Sequence, residues 1–133
     1  MPKAKPIDDA YIADWMERVA NFFVDENGLP PITGRALAWL LICDPAEQSA
    51  GEIAKAIGAS RASLTTTMRV LTTVGIARRR SRPGGRTTYY RIDDDAWEKV
   101  IRLRIAALTA FRHITEDAIH HLGAGNPRAQ RLK

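Results

Sequence analysis

The stretch SAGEIAKAIGASRASLTTTMRVLTTVG, residues 49–75, decides the fold that this sequence predicts. Its first part carries the signals of a short helix, since Ser49 and Glu52 form a capping box and Gly58 supplies the C-terminal stop. Ser60 is then placed to cap a second helix, which runs to the end of the stretch. Two short helices joined by a turn of about three residues that contains glycine form a helix-turn-helix.

The second helix of this motif divides into an apolar face and a polar face. Leu64, Met68 and Leu71 have helical spacing and are predicted to face the core. The opposite arc is small, hydroxylated and cationic, so it can enter a major groove and hydrogen-bond base edges and phosphates. A threonine-rich face exposed to solvent is the alternative for this helix taken alone. The candidate DNA-binding residues here are Ser60, Arg61, Ser63, Thr65, Thr66 and Arg69.

A basic β-hairpin is predicted after this helix. Residues 76–82 and 86–92 are rich in β-forming side chains, and a Pro-Gly-Gly triplet supplies the turn between them. Alternation places Thr88, Tyr90 and Ile92 on one face, where they can anchor the hairpin on the core. Arginines can meet phosphates along the hairpin and reach a minor groove from its tip. The candidate phosphate contacts are Arg78, Arg79, Arg80 and Arg82, and the candidate minor-groove contact is Arg86.

Charge is distributed unevenly along the chain. Residues 53–92 contain no Asp or Glu and carry +9, from one lysine and eight arginines. The net charge of the whole chain is +5, which leaves −4 for the remaining residues. A basic block inside a mildly acidic protein indicates one surface that faces a polyanion. A solvated basic face without a partner is the alternative.

The flanking segments are predicted to be helical, so the fold class is mostly α with a small β-hairpin wing. Residues 1–7 are expected to form a disordered basic tail, and the 133 residues to make a single domain. An N-terminal helix is expected at 8–26, the winged helix-turn-helix core at 30–92 and a long dimerisation helix at 94–122. Residues 126–133 begin a further helix, which fits either a truncated chain or an end that docks on a partner.

Two apolar stripes run along the surface of the long helix. One stripe can cover the winged domain of the same chain, and the other needs a second copy. A two-fold homodimer would then place its recognition helices about one DNA turn apart. A monomer with one broad core-facing stripe is the alternative. The stripes are Trp97, Ile101, Ile105, Leu108, Ile119 and Leu122, and Val100, Leu103, Ala107, Phe111, Ile114 and Ala118.

A family resemblance accompanies these motifs. Residues 49–80, followed by PGGRTTYY at 83–90, resemble the MarR superfamily of bacterial winged-helix regulators. GLPPITGRALAWLLICDP at 28–45 is similar to the branch named for the glycine-betaine synthesis repressor, GbsR. The similarity covers residues 10–122. It implies a cytoplasmic homodimer that represses or activates promoters at palindromic sites.

The same resemblance implies roles for particular residues. It places the recognition helix at 60–69 and identifies Arg86 as the wing arginine. MarR wings usually carry an aspartate two residues before that arginine, where a salt bridge stabilises the wing. Here that position is Gly84, which cannot form the bridge.

Two further patterns concern small molecules and redox chemistry. Aromatic side chains can box a cationic effector, with core packing as the alternative. Cys43 lies among leucine and isoleucine residues, so a buried, unreactive thiol is favoured over a redox switch. The candidate effector pocket consists of Trp15, Phe22, Trp39 and Trp97.

Catalysis, cofactors and membrane insertion have little support in the sequence. His113, Glu116 and His120 have metal-ligand spacing on one helix face, but a solvated face is favoured, and no metal or other cofactor is predicted. No catalytic motif is present, so an enzyme is not expected. The longest apolar run, residues 36–43, is too short to cross a bilayer, and the N-terminus lacks a signal sequence, which favours a cytoplasmic protein.

The predicted function is sequence-specific regulation of transcription, most simply repression, by a homodimer on a palindromic double-stranded DNA operator. The alternative is a nucleic-acid-binding protein that reads shape, such as an architectural DNA binder or an RNA-associated factor. A third class is a ligand or metal sensor whose role on DNA is secondary. Preference for one palindrome by about a thousandfold over bulk DNA would distinguish the regulator.

Overall fold

The computed structural model describes residues 8–133, so the predicted tail at 1–7 lies outside the described residues. Length predicts a single domain, and the contacts divide the chain into two compact units, one up to Ala96 and one at 97–133. None of the described helices combines the length and apolarity needed to cross a lipid bilayer. The elements are α1 (Asp9–Asn27), α2 (Pro31–Ile42), β1 (Gln48–Ser49), α3 (Ala50–Ile57), α4 (Arg61–Thr73), β2 (Ala77–Ser81), β3 (Thr88–Ile92), α5 (Ala96–Leu122) and α6 (Pro127–Gln130).

The helix caps form as the local sequence dictates. The Asp8 carboxylate accepts from the first backbone N–H groups of α1, and Ser49 and Glu52 form the reciprocal capping box of α3. Ser60 accepts from the Ser63 N–H at the start of α4. Gly58 ends α3 in the left-handed conformation, at φ 66°, which glycine adopts without steric cost. These signals therefore produce the helix-turn-helix.

The core of the first unit lies between α1, α2, α3 and α4. Leu64, Met68 and Leu71 are each at most 2% exposed, as predicted for the inward face of α4, and Ile53 of α3 is buried beside them. Burying such a side chain contributes about 1.5–3 kcal/mol, so these residues supply much of the stability of the motif. At Gly34 in α2, a Cβ atom would lie 3.0 Å from the backbone oxygen of Ala20, so α1 and α2 approach closely.

The predicted fold class, mostly α with a small antiparallel wing, is confirmed, although the sheet has three strands in the order β1-β3-β2. The hairpin strands β2 and β3 are shorter than expected. Tyr90 and Ile92 pack against the core, as the alternation predicts. The two-residue strand β1 was not predicted, because it has no alternating pattern and Ser49 also caps α3.

The second unit contains most of α5 and the short helix α6. Helix α5 begins two residues later than expected and ends at Leu122. The Asn126 side chain caps α6 by accepting from Arg128 N–H at 2.9 Å, and Pro127 occupies the first helical turn. The Gln130 side chain donates to the carbonyl of Ala124 at 2.8 Å, which fixes the turn after α5.

Candidate nucleic-acid interface

The polar face of α4 is exposed along its length. Arg61, Ser63, Thr65, Thr66 and Arg69 are all exposed, whereas the residues between them that face inward are buried. Because the inner face is anchored in the core, these side chains lie on a rigid helical surface. The structure thus places the predicted recognition residues together.

The threonine hydroxyls of this face are bonded to their own helix. Thr65 Oγ1 donates to the carbonyl of Arg61 at 2.8 Å, and Thr66 Oγ1 donates to that of Ala62 at 3.5 Å. Each hydroxyl keeps lone pairs that can accept further hydrogen bonds. The face therefore presents both acceptors and cations.

Sequence reasoning did not identify the role of Gly51 beside this face. A Cβ atom at Gly51 would lie 3.3 Å from Nη1 of Arg61, closer than most contacts of that kind. Glycine in the first turn of α3 therefore leaves room for the Arg61 guanidinium at the start of the recognition helix. The local signal is a glycine inside a helix, where it costs up to about 1 kcal/mol relative to alanine.

The register of the sheet determines which side chains of the wing meet. Arg80 is paired with Tyr89, and Tyr89 in turn with Ser49. Cross-strand partners share a face, and so do residues two apart along a strand. The face opposite the core therefore carries Tyr89, Arg91 and the even-numbered arginines of β2, with Glu47 just before β1.

Acidic residues at both edges of the basic block pair with these arginines. Arg78 Nε donates to Asp93 at 2.8 Å, and Arg91 Nη2 donates to Asp94 at 2.9 Å. The Asp93 carboxylate is 4% exposed, and it raises the pKa of Arg78 by hydrogen bonding and by charge. These aspartates directly follow the basic block in sequence.

Glu47 provides the other carboxylate on this face of the sheet. Its Oε1 accepts from Arg82 Nη2 at 3.1 Å, and its Oε2 lies 3.6 Å from Arg80 Nη1. The Arg82 guanidinium also lies over the Tyr89 ring, 3.9 Å from its centroid. Four of the nine cations in the block are thus paired with acids from outside it.

Two other arginines of the wing have no such partner. Arg79 and Arg86 form no ion pair with any residue that the structure describes, and both are exposed. The tip turns tightly, because the Gly85 N–H donates to the Arg82 carbonyl and Gly84 adopts φ 74°. Arg86 follows this turn directly.

The arginines of the recognition helix, too, are without an acidic partner in the part of the chain that the structure describes. Within the described residues, Arg61 and Arg69 also form no ion pair. The predicted DNA-binding set therefore contains four exposed arginines without an acidic partner, namely Arg61, Arg69, Arg79 and Arg86. Three others, Arg78, Arg80 and Arg82, are held by carboxylates.

The aromatic residues of the candidate effector pocket occupy different environments. Trp15 and Trp39 pack against the core, and the Trp39 indole N–H donates to Gln48. Phe22 is about half exposed and meets Phe23 edge to face, with ring centroids 5.4 Å apart. Trp97 is 54% exposed and belongs to the second unit.

A cleft that the sequence did not reveal lies beside the recognition helix. Its volume is about 380 Å³, and none of the four predicted aromatic residues lines it. The lining residues come from the start of α2, the turn before it and one side of α4. They are Leu29, Pro30, Ile32, Thr33, Ser63, Thr66, Thr67 and Val70.

The thiol and the histidine face have ordinary structural environments. Cys43 is partly buried, and its Sγ lies 3.5 Å from the carbonyl oxygen of Ala46. Burial raises the pKa of the Cys43 thiol, which reduces the reactive thiolate form. Glu116 accepts from Arg112 at 2.9 Å, and the described part of the chain holds no cluster of three metal-binding side chains.

Similarity to known proteins is clear for nearly the whole chain. No protein-family model matches it. It is 33% identical over 123 residues to the HTH-type transcriptional regulator MmpR5 of Mycobacterium tuberculosis, covering 92% of this chain and 74% of that protein. A solved structure of a transcriptional regulator is 33% identical, with a TM-score of 0.71 and coverage of 92% and 83% of the two chains.

A more distant structure shares the fold. Sco3205, a MarR family transcriptional regulator from Streptomyces coelicolor solved in complex with DNA, is 20% identical to this chain with a TM-score of 0.52. The match covers 92% of this chain and 77% of that one.

Proposed function

This chain belongs to the MarR family of winged-helix transcriptional regulators, and from that premise we propose that it represses transcription as a homodimer on a palindromic operator. Regulators of this family are not enzymes, so the function is carried by binding. The observation that carries the proposal is the exposed recognition face of α4, with its two unpaired arginines beside a wing whose tip ends in Arg86.

The proposed interface has two parts with different tasks. Thr66 and Arg69 lie in the middle of α4, where base edges are met in a major groove, so they would set the preferred sequence. Arg79 and Arg86 would bind phosphates or the minor groove and contribute to affinity for any duplex. The residues proposed to contact DNA are Ser60, Arg61, Ser63, Thr65, Thr66, Arg69, Arg79 and Arg86. The other predicted contacts, Arg78, Arg80 and Arg82, would bind phosphates only after leaving the carboxylates that hold them.

The proposed homodimer is supported by the surface of α5. Large apolar patches that remain exposed are typical of protein–protein interfaces. A second copy of the chain would cover this surface and supply the two-fold symmetry that a palindrome requires. The large apolar side chains of α5 that are more than half exposed are Trp97, Ile101, Leu103, Ile105, Leu108, Phe111 and Ile114.

Finer assignments are proposed on narrower grounds. The similarity of residues 28–45 supports the GbsR branch. A cytoplasmic site of action follows from the proposed DNA partner. For a cationic effector, Phe22 in the first unit and Trp97 in the second each offer an exposed ring, considered separately, whereas Trp15 and Trp39 would need to leave the core to take part.

The test is selection of bound duplexes from random DNA, followed by affinity measurements on the recovered sequence and a scrambled control. We expect a palindrome that is preferred by about a thousandfold. Arg69→Ala should cost about 1–3 kcal/mol per half-site on that palindrome and much less on the control. Recovery of no common sequence would favour the shape-reading alternative, and so would an equal loss for Arg69→Ala on the recovered palindrome and on the control.

A further inference from the structure

Glu47 occupies an unusual position for a carboxylate in a proposed DNA-binding wing. Its side chain is 19% exposed, and it lies within 3.6 Å of the guanidinium groups of both Arg80 and Arg82. Those arginines are two residues apart on β2 and its extension, so they project from the same face. One acid thus binds two of the cations expected to attract DNA.

The backbone around Glu47 is fixed by a buried amide. The Gln48 side chain is 3% exposed, its Oε1 accepts from the Trp39 indole, and its Nε2 donates to the Pro45 carbonyl at 2.8 Å. These bonds join the end of α2, the following loop and β1. Glu47 is therefore held at a defined place on the sheet.

The arginine side of the contact is fixed as well. Arg82 lies against the Tyr89 ring. Hydrogen bonds with Ser49 lower the pKa of Glu52 in the capping box of α3, and the charge of Arg82 makes a smaller contribution in the same direction. For Arg82 to bind a phosphate, it would have to leave the Glu47 carboxylate and this ring. The same exchange applies to Arg80 and its single acidic partner.

We propose that Glu47 is a positioning residue that limits the phosphate contacts of the wing by holding Arg80 and Arg82 in place. Affinity for DNA of any sequence comes almost entirely from cations that replace counterions on phosphates. Withholding two arginines in each protomer therefore lowers the affinity for every duplex and makes binding less dependent on salt. This inference rests on the proposed DNA-binding function.

Glu47→Gln removes the carboxylate charge and should release both arginines. We expect affinity for a scrambled duplex to rise by about tenfold, and the slope of log K against log salt to steepen by about 0.9 for each arginine that gains a phosphate. Affinity for the operator should rise by a similar factor, because phosphates do not depend on sequence. Glu47→Ala should act in the same direction.

Glu17→Gln is the matched control. Glu17 accepts from Arg35 at 2.7 Å, and neither residue belongs to the wing, so this change also removes one negative charge and releases one arginine. We expect the salt slope of this variant to match that of the wild type. An equal steepening in both variants would show a net-charge effect and overturn the role of Glu47.

A double substitution of the arginines tests the inference independently of the stability of the Glu47 variants. In the wild-type background, Arg80→Gln with Arg82→Gln should leave the salt slope unchanged, because Glu47 already withholds both side chains. In the Glu47→Gln background the same pair should abolish the gain. A flatter slope in the wild-type background would show that these arginines already bind phosphates, which overturns the inference.

The remaining outcomes separate this inference from the proposed function. If Glu47→Gln lowers affinity for every duplex without steepening the slope, Glu47 is a structural anchor and the inference is wrong. If the wild-type protein binds operator and its Glu47 variants behave identically, the inference fails and the proposed function stands. If the wild-type protein binds no duplex, both fail.

Discussion

Arg86→Ala is the sharpest test of the wing. Arg86 is exposed, follows the glycine turn directly and forms no ion pair with the described residues. A dimer would lose two such contacts, so the slope of log K against log salt should flatten by about 1.8. Between 50 and 200 mM salt, the affinity of the wild type should therefore fall about twelvefold more than that of the variant.

The assay is fluorescence anisotropy with operator and scrambled duplexes at four salt concentrations. Arg91→Ala is the control, because Arg91 lies on the same hairpin but is paired with Asp94. We expect Arg86→Ala to weaken binding to both duplexes and Arg91→Ala to change the slope little. An unchanged affinity and slope for Arg86→Ala would mean that the tip does not touch DNA, and equal effects of the two variants would point to net charge alone.

Three other predictions concern stability, assembly and thiol chemistry. Met68→Ala should destabilise the first unit by about 2–5 kcal/mol, because Met68 is 1% exposed in the core, and a small change in thermal midpoint would contradict this packing. Leu108→Glu with Phe111→Glu should convert a dimer to monomers in sedimentation, since both side chains are about two-thirds exposed on α5; a dimer that persists would place the interface elsewhere. Cys43 should be alkylated more slowly at pH 8 than a free thiol, because its raised pKa leaves less thiolate at that pH, and unfolding should abolish the difference.

The parts of the fold that depend on local signals could be predicted from the sequence. A capping box joins residues three apart, so the role of Ser49 as a helix cap could be predicted. The inward face of α4 follows from helical spacing, so the burial of Met68 could be predicted as well. The two wing strands could also be predicted from local signals, although each predicted strand was longer than the one observed.

The partners of the wing arginines could not be predicted in this way. Arg82 and Glu47 are 35 positions apart, and they meet because β1 joins the far edge of the sheet. A count of charge along residues 53–92 therefore overstated the number of unpaired cations. The role of Gly51 was missed for a related reason, since the Arg61 side chain reaches it across the turn between two helices.

The hydroxyl bonds on α4 bear on which bases an operator can offer. Thr65 Oγ1 donates its hydrogen to the carbonyl of Arg61, so the side chain can offer a base only lone pairs and a methyl group. Lone pairs meet amino groups, which adenine and cytosine display in the major groove, and methyl groups pack on thymine; guanine displays acceptors there and suits neither. While this bond is kept, we expect the base that faces Thr65 to be adenine, cytosine or thymine and not guanine. Arg61 and Arg69 are then the side chains suited to bind guanine.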